Sequence, residues 1–298
     1  IISLEKIPKK NIEKASLFVF QTKFFQELVF LTLKLKFLYS STPDLNKTIF
    51  KKSKFSKCKY IYLQHSPVSH TLIYNQDAFN EFDAIQTINN YQLKEIKEIN
   101  LKEKLKIKPF KSKYLFLTNQ MKTNKQKPQV DLIVAPSWNS NFYKLNCHIL
   151  LKDLLSQKEI NYKLRPHPMS FKKNEISQNE INDLKIPLDF DTTINFYKYN
   201  FLISDWSGIF IEYAWIYKRK AFLINTPKKL LNKNYTNYNN QPIEIILRNI
   251  LGKTFEVENL DNLVNEISLL KKQLNEENKL NKNENVENEI KNNFFTNL

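Results

Sequence analysis

The sequence predicts an α/β fold with doubly wound parallel sheets. Short apolar runs, most ending in a polar or turn residue, alternate with amphipathic helical patterns, the signature of strand–helix–strand units. The unusual side chains lie just after the apolar runs, and parallel sheets collect ligands at the C-terminal ends of their strands.

The stretch SLFVFQTKFFQELVFLTLKLKFLY reads as a helix running into a strand, KLKFLYS, with Phe24, Phe25, Leu28, Val29, Leu31 and Leu33 on or near one face. Core packing is the expected use of that face, and a membrane surface the minor one. Lys23, Glu27, Lys34 and Lys36 interrupt it, so it is no clean span of about 20 apolar residues. LKFLYS, KYIYLQ, YLFLT, VDLIVAP, NYKLRP, YNFLIS and KAFLIN read as strands. Helical patterns fill the later gaps: FYKLNCHILLKDLLSQKE before NYKLRP, and IFIEYAWIYK between YNFLIS and KAFLIN. The lysine-rich LKEKLKIKPFKSK (101–113) divides an early from a late strand group and is expected to lie near a linker. The predicted domains are 1–115, 116–275 and a polar low-complexity tail, 276–298, expected to be frayed or disordered. The first residue is isoleucine and the N-terminal half is short for a complete domain, as in a truncated chain.

Composition narrows the classes. The 298 residues are 42% hydrophobic and 13% aromatic, which is incompatible with wholesale disorder. Lys and Arg total 46 against 30 Asp and Glu, a formal net charge of +16 that favours anionic partners. The abundance of Lys, Asn and Ile also fits composition bias of an AT-rich kind, in which most of the charge only solvates the surface. No RNP1 or zinc-finger motif is present, so nucleic acid is not expected as a partner. Cys58 and Cys147 stand far apart without CxxC spacing, against a thiolate zinc site and in keeping with a reducing cytosol. Only 2 glycines occur where an average composition supplies about 20, so the P-loop and GxGxxG are excluded.

Three loops after strands carry reactive groups. QHSPVSH places His65 and Ser66 after KYIYL; RPHPMSF holds Arg165 and His167 between prolines; SDWSG brings Ser204, Asp205, Ser207 and Gly208 to the start of IFIEYAWI. Taken alone, SDWSG reads first as a helix cap with Ser204, Asp205 or Ser207 as N-cap. Beside the other two loops it reads as an anion seat. Unpaired N–H groups and the helix dipole face the ligand, Ser207 adds a hydroxyl, and Gly208 lets a phosphate approach the backbone. His65 and His167 are candidates for proton transfer. His70 is expected to be structural, and His148, within the helical pattern NCHILLKDLL, structural or at the surface. Asp189 and Asp191 form a DxD, a spacing common by chance, and no cluster has metal-ligand spacing.

VDLIVAPSWNSNFY, NYKLRPHPMSF, FLISDWSGIFIEYAWIYKRKAFLIN and NYNNQPIEIILRNILGK together resemble the CDP-glycerol glycerophosphotransferase family, over about Phe37 to Gly252. The resemblance implies a GT-B-like architecture: two Rossmann-like parallel-sheet domains facing a cleft, the first incomplete here. It implies transfer of glycerol phosphate, or a similar polyol phosphate, from CDP-glycerol to a surface-glycan or lipid-linked hydroxyl, with release of CMP. It casts His65 as the general base, His167 as support for the donor pyrophosphate, and Ser207 and Gly208 as donor-phosphate contacts. Arg165, Ser204 and Asp205 are expected beside them. No cofactor beyond the donor is expected, the metal requirement is left open, and the place of action is the cytoplasm or the inner face of the membrane. A GT-B glycosyltransferase using a nucleotide sugar is the alternative. Two positions depart from the family pattern. Many members have an arginine shortly after their APTW-like motif, where APSWNSN offers Asn139 and Asn141, and the usual His-Gly pair is His65-Ser66. Glu244 and Arg248 match its late segment without an assigned role.

Overall fold

The computed structural model of the chain describes residues 2–3, 18–19, 22–47, 50–123, 128–189, 191, 194–277 and 280–295. Parts of the early apolar stretch, 16–17 and 20–21, lie outside them.

A two-residue parallel pair, β1 (Ile2–Ser3) with β2 (Phe18–Val19), precedes helix α1 (Lys23–Thr32). The first lobe is a four-stranded parallel sheet in the order β3-β4-β5-β6, from β3 (Phe37–Ser40), β4 (Lys59–Tyr62), β5 (Ala84–Thr87) and β6 (Lys108–Lys111). Helix α2 (Asn90–Lys102) starts where the Asn89 side chain accepts the Gln92 N–H at 2.8 Å, an N-cap bond. Helix α3 (Leu115–Thr123) then leads to the second lobe.

That lobe holds β7 (Val130–Val134), β8 (Tyr162–Leu164), β9 (Tyr199–Ser204), β10 (Ala221–Ile224) and β11 (Gly252–Phe255), all parallel. Between them run α4 (Cys147–Gln157), α5 (Pro168–Lys172), α6 (Gln178–Asp183), α7 (Ile209–Tyr217) and α8 (Ile243–Leu251); α9 (Leu260–Glu277) and α10 (Glu284–Asn293) follow. The spatial order β8-β7-β9-β10-β11 is the 2-1-3-4-5 order of doubly wound sheets, which opens a crevice at the ends of its first and third strands. Here those strands are β7 and β9. Alternation along them fills both faces: Leu132, Val134, Phe201 and Ile203 enter one core, and Ile133 and Leu202 the other. The molecule therefore has the two Rossmann-like lobes of a GT-B-like fold.

Several expectations need correction. YLFLT is not a strand but the start of α3, because Tyr114 and Leu117 are buried at a helical spacing while Leu115 is exposed. The basic stretch 101–113 is in part a strand, since KPFK forms β6 beside β5. The tail is not frayed over 284–293. Val286, Ile290 and Phe294, four residues apart, form an apolar stripe that closes a core with α7 and α8, and the Phe295 N–H reaches back to the Ile88 carbonyl at 3.0 Å. Helix α1 forms as expected, but its face is not core: Phe24 is 70% exposed and Phe25 and Leu28 are also open, while Gln26 and Phe30 are buried. Among the described residues no helix is long and apolar enough to cross a membrane.

The lobes share a core. Ile88 and Tyr114 from the first pack with Phe210, Ala214 and Trp215 of α7 and with Phe294. Helix α7 is apolar on nearly all sides, so it is held by the β-sheet on one side and by α8 and α10 on the others.

Candidate functional site

The loop after β4 presents His65 to the cleft between lobes. Its Nδ1 lies 2.9 Å from the Tyr62 hydroxyl and its Nε2 3.4 Å from the Tyr74 hydroxyl, and both tyrosines are buried. Desolvation among these rings lowers the His65 pKa, and the charges of Lys229 and His70 act in the same sense against a Ser41 backbone contact. The imidazole is therefore neutral at pH 7 and open to a proton.

Behind His65 the loop is tied down by buried groups. The Glu95 carboxylate accepts the His70 N–H at 2.9 Å and the Thr71 hydroxyl at 2.9 Å, and the Gln92 side chain donates to the Val68 carbonyl at 2.9 Å. Glu244 of α8 accepts the Ser69 N–H at 2.8 Å from the other lobe. The Tyr114 hydroxyl stands 2.8 Å from both the His65 carbonyl and Glu212 of α7. His70 is buried and held between Glu95 and Gln64, which leaves it a scaffold group.

Across the cleft, the ends of β7, β8 and β9 build a pocket of about 440 Å³ lined by Pro136, Arg165, His167, Phe171, Ser207 and Ile209 among others. His167 is the N-cap of α5: its Nδ1 accepts the Met169 N–H at 3.1 Å. That bond assigns the ring proton to Nε2, which faces outward as a donor. Desolvation, then the charges of Lys229, His65 and Arg165, lower its pKa to about 4. Arg165 is aimed by Asp189, with Nη1 2.8 Å from Oδ2. The DxD is thereby accounted for: Asp189 orients Arg165, and Asp191 pairs with Lys198 at 2.5 Å. Among the described residues no group of three His, Cys, Asp or Glu side chains is placed to hold a metal ion.

SDWSG divides into an inner and an outer half. Ser204 and Asp205 were expected at the donor phosphate, but both are wholly buried. The Ser204 hydroxyl donates to the Ala135 carbonyl at 2.7 Å, and Asp205 accepts the Ser137 N–H at 2.8 Å. They join the β9 turn to the β7 loop and touch no solvent. A buried carboxylate there would also repel an incoming phosphate. Arg248 completes the scaffold, donating to the Asp205 and Ile224 carbonyls at 2.6 and 2.7 Å, with its guanidinium 4.2 Å from the Trp206 ring. The outer half, Ser207 and the start of α7, opens to the pocket, and the Ser207 and Gly208 N–H groups bond to none of the described residues. These features match an anion seat.

Gly208 needs a different explanation from the expected one. Its φ of −60° is open to any residue, and a Cβ there would run into the Val68 side chain and lie 2.5 Å from the Ser66 Oγ. The missing side chain admits the loop of the other lobe, not a ligand. Gly252 is likewise a packing position, against Leu223 and the Arg248 carbonyl. Neither glycine has a positive φ; Asn139, Asn141, Asn146 and Asn174 take left-handed values of 54–61° instead.

Three residues of the site escaped sequence reasoning. Tyr114 and Glu212 sit inside runs that read only as apolar, and a buried Glu in IFIEYAWI was their one signal. Lys229 follows KAFLIN in TPKK, a strand-end position, but was lost among 46 basic residues. Its ammonium lies 4.5 Å from the Trp138 ring, and Trp138 in turn stands 6.3 Å from the His167 ring.

No family model matches the chain, and no curated protein matches it. Among solved structures it is similar to the wall teichoic acid polymerase TagF. A variant with one histidine changed to alanine aligns at a TM-score of 0.45 and 11% identity, covering 86% of this chain and 68% of that one. Two structures of a histidine-to-asparagine variant soaked with CDPG align at 0.43 and 0.38, with 16% and 14% identity. These cover 75% and 63% of this chain and 61% and 53% of theirs. A likeness this distant concerns the fold alone.

Proposed function

We propose that this protein transfers glycerol phosphate, or a similar polyol phosphate, from a CDP-linked donor to a hydroxyl of a surface glycan or lipid-linked acceptor. The observation that carries the reading is that His167, Arg165, Ser207 and the start of α7 line one pocket, and that His65 of the opposite lobe stands near enough for its charge to act on His167. The motifs RPHP and SDWSG supply the donor class through their resemblance to the glycerophosphotransferases.

In this reaction the acceptor oxygen attacks the β-phosphorus of the donor. The new P–O bond forms as the bond from that phosphorus to the bridging oxygen breaks, and CMP leaves with the electron pair. His65 takes the acceptor proton, its Nδ1 steadied by Tyr62 and its Nε2 released from the long Tyr74 contact. The His167 Nε2–H, the Arg165 guanidinium, the Ser207 hydroxyl and the free N–H groups before α7 hold the phosphoryl oxygens as charge moves onto them. The scaffold carboxylates stay out of the way: Asp205 and Glu244 are buried and bonded to backbone N–H groups.

The site is proposed to act at the inner face of the cell membrane, where a lipid-linked acceptor is presented. The test is nucleotide release from CDP-glycerol, CDP-ribitol and UDP-sugars in the presence of a lipid-linked acceptor extract. CMP release from a CDP-polyol supports the reading. Turnover of a UDP-sugar alone sinks it and favours sugar transfer on the same fold.

A further inference from the structure

Lys229 is 8% exposed, yet it has no partner suited to a charge. Among the described residues its ammonium makes no hydrogen bond and no ion pair; its neighbour is the face of Trp138 at 4.5 Å. The acids that act on it from a distance, Asp205, Glu244 and Glu175, each give one oxygen to a backbone N–H, and none comes within ion-pair distance of it. Asp205 accepts the Ser137 N–H, Glu244 the Ser69 N–H, and Glu175 the Asn139 N–H at 2.6 Å. The side chain is nearly buried and its ammonium keeps only a narrow solvent opening, so much of its water is lost with no carboxylate in contact, and a single ring face does not offset that loss.

The position of the charge says what offsets it. Lys229 leaves the end of β10 beside the ends of β7 and β9, where ligands of doubly wound sheets bind. Its charge acts on both His65 and His167, so it lies within reach of the cleft that they face. Burial lowers its pKa to about 8, which still leaves it mainly charged at pH 7. The loop that carries Trp138 continues into Asn139 and Asn141, and its cation, Lys144, is exposed and lines a different pocket beside Lys173 and Asn174.

We propose that Lys229, laid against Trp138, is a further anion-binding residue that holds a phosphoryl oxygen of a diphosphate between the two histidines. This rests on the donor site proposed above, and it names a residue that neither RPHP nor SDWSG contains. Lys229 acts by binding, not by proton transfer.

The test is titration calorimetry of inorganic pyrophosphate and of CDP on the full chain and on Lys229→Met and Lys229→Arg, with thermal unfolding of each in the presence and absence of pyrophosphate. Loss of one charge-assisted contact lowers the affinity of Lys229→Met for both ligands by about tenfold to a hundredfold. Lys229→Arg stays within about threefold of wild type. Without ligand, Lys229→Met melts at or above the wild-type temperature, because a charge without a contacting counter-charge has been removed, and the same pyrophosphate concentration raises its midpoint less than that of wild type. A purely structural lysine gives the opposite: a lower ligand-free midpoint and an unchanged shift with pyrophosphate. Equal pyrophosphate binding by wild type and Lys229→Met overturns the inference, and so does a wild-type protein that binds neither pyrophosphate nor CDP. If pyrophosphate binding is lost in Lys229→Met while no CDP-polyol is turned over by wild type, the lysine assignment stands and the donor reading falls. If CDP-glycerol is turned over and bound equally by both, the reverse holds.

Discussion

Gly208 at the start of α7 and Val68 of the opposite lobe are packed so closely that a Cβ on the glycine would overlap the Val68 side chain. The contact fixes how near His65 comes to the pocket, since Val68 and His65 share one loop. Gly208→Ala is therefore expected to lower stability by about 1–3 kcal/mol through overpacking, and Gly208→Val by more. Trimming the other side makes room: Val68→Ala in the Gly208→Ala background should recover part of the loss. A urea-denaturation double-mutant cycle checks this, and additive losses in the double variant contradict it.

The Tyr114 hydroxyl faces two acceptors, the His65 carbonyl and Glu212, with one proton to give. Burial raises the Glu212 pKa to about 7, so near neutrality Glu212 is about half protonated: in its ionised form it competes for the Tyr114 proton, and in its protonated form it leaves that proton to the His65 carbonyl. Tyr114→Phe removes the hydroxyl between them. The expected outcome is a roughly tenfold fall in kcat with KM within about twofold, and a stability loss of about 1 kcal/mol. Steady-state kinetics beside urea denaturation separate the two effects. An unchanged kcat would remove Tyr114 from the placement of His65.

Glu244 and Glu212 contribute a stability that falls as pH rises through neutrality, while the lowered pKa values of His65 and His167 act in the opposite sense. Burial raises both glutamates from 4.5 to about 7, so between those values these two groups bind more protons in the folded chain than in the unfolded one. The stability they contribute is present below pH 4.5 and gone once pH passes about 7. Glu244→Gln keeps an acceptor for the Ser69 N–H and removes one of the two ionisations. The stability of Glu244→Gln relative to wild type should therefore rise between pH 5 and pH 8. Denaturant midpoints across that range decide, and identical slopes for the two proteins would contradict the assignment.

His167 does two jobs that substitution can separate. Asparagine is a favoured N-cap residue, so His167→Asn should keep α5 and leave the melting temperature nearly unchanged. It lacks the outward N–H of the imidazole, and donor turnover should fall by about a hundredfold. A variant that unfolds in parallel with its loss of turnover would mean that the cap is the residue's whole role.

The parallel-sheet fold was legible because buried strands leave continuous apolar runs, as in VDLIVAP, YNFLIS and KAFLIN. AIQT, KPFK and GKTF were not legible as strands, since each is short and leans on neighbouring strands for its stability. The tail hid its helix for a related reason: Val286, Ile290 and Phe294 are three apolar residues in a polar stretch, and only their shared face gives them meaning. At the site, strand ends pointed to His65, Arg165, His167 and Ser207. The inward turn of Ser204 and Asp205 could not be read, because the hydrogen bonds that bury them end on Ala135 and Ser137, about 70 residues away in sequence. Gly208 was singled out for the right rarity and the wrong neighbour. A single sequence carries no sign that Val68 would occupy the space beside it.

The central proposal is that the site holding His65 and His167 transfers polyol phosphate from a CDP-linked donor. The direct measurement is CMP release from CDP-glycerol with a lipid-linked acceptor extract, for wild type, His65→Ala and His167→Asn. The account predicts acceptor-dependent CMP release by the wild-type protein, reduced at least a hundredfold in both variants while their folding is retained. Absence of CMP release alongside turnover of a UDP-sugar, or CMP release that neither substitution diminishes, would contradict it.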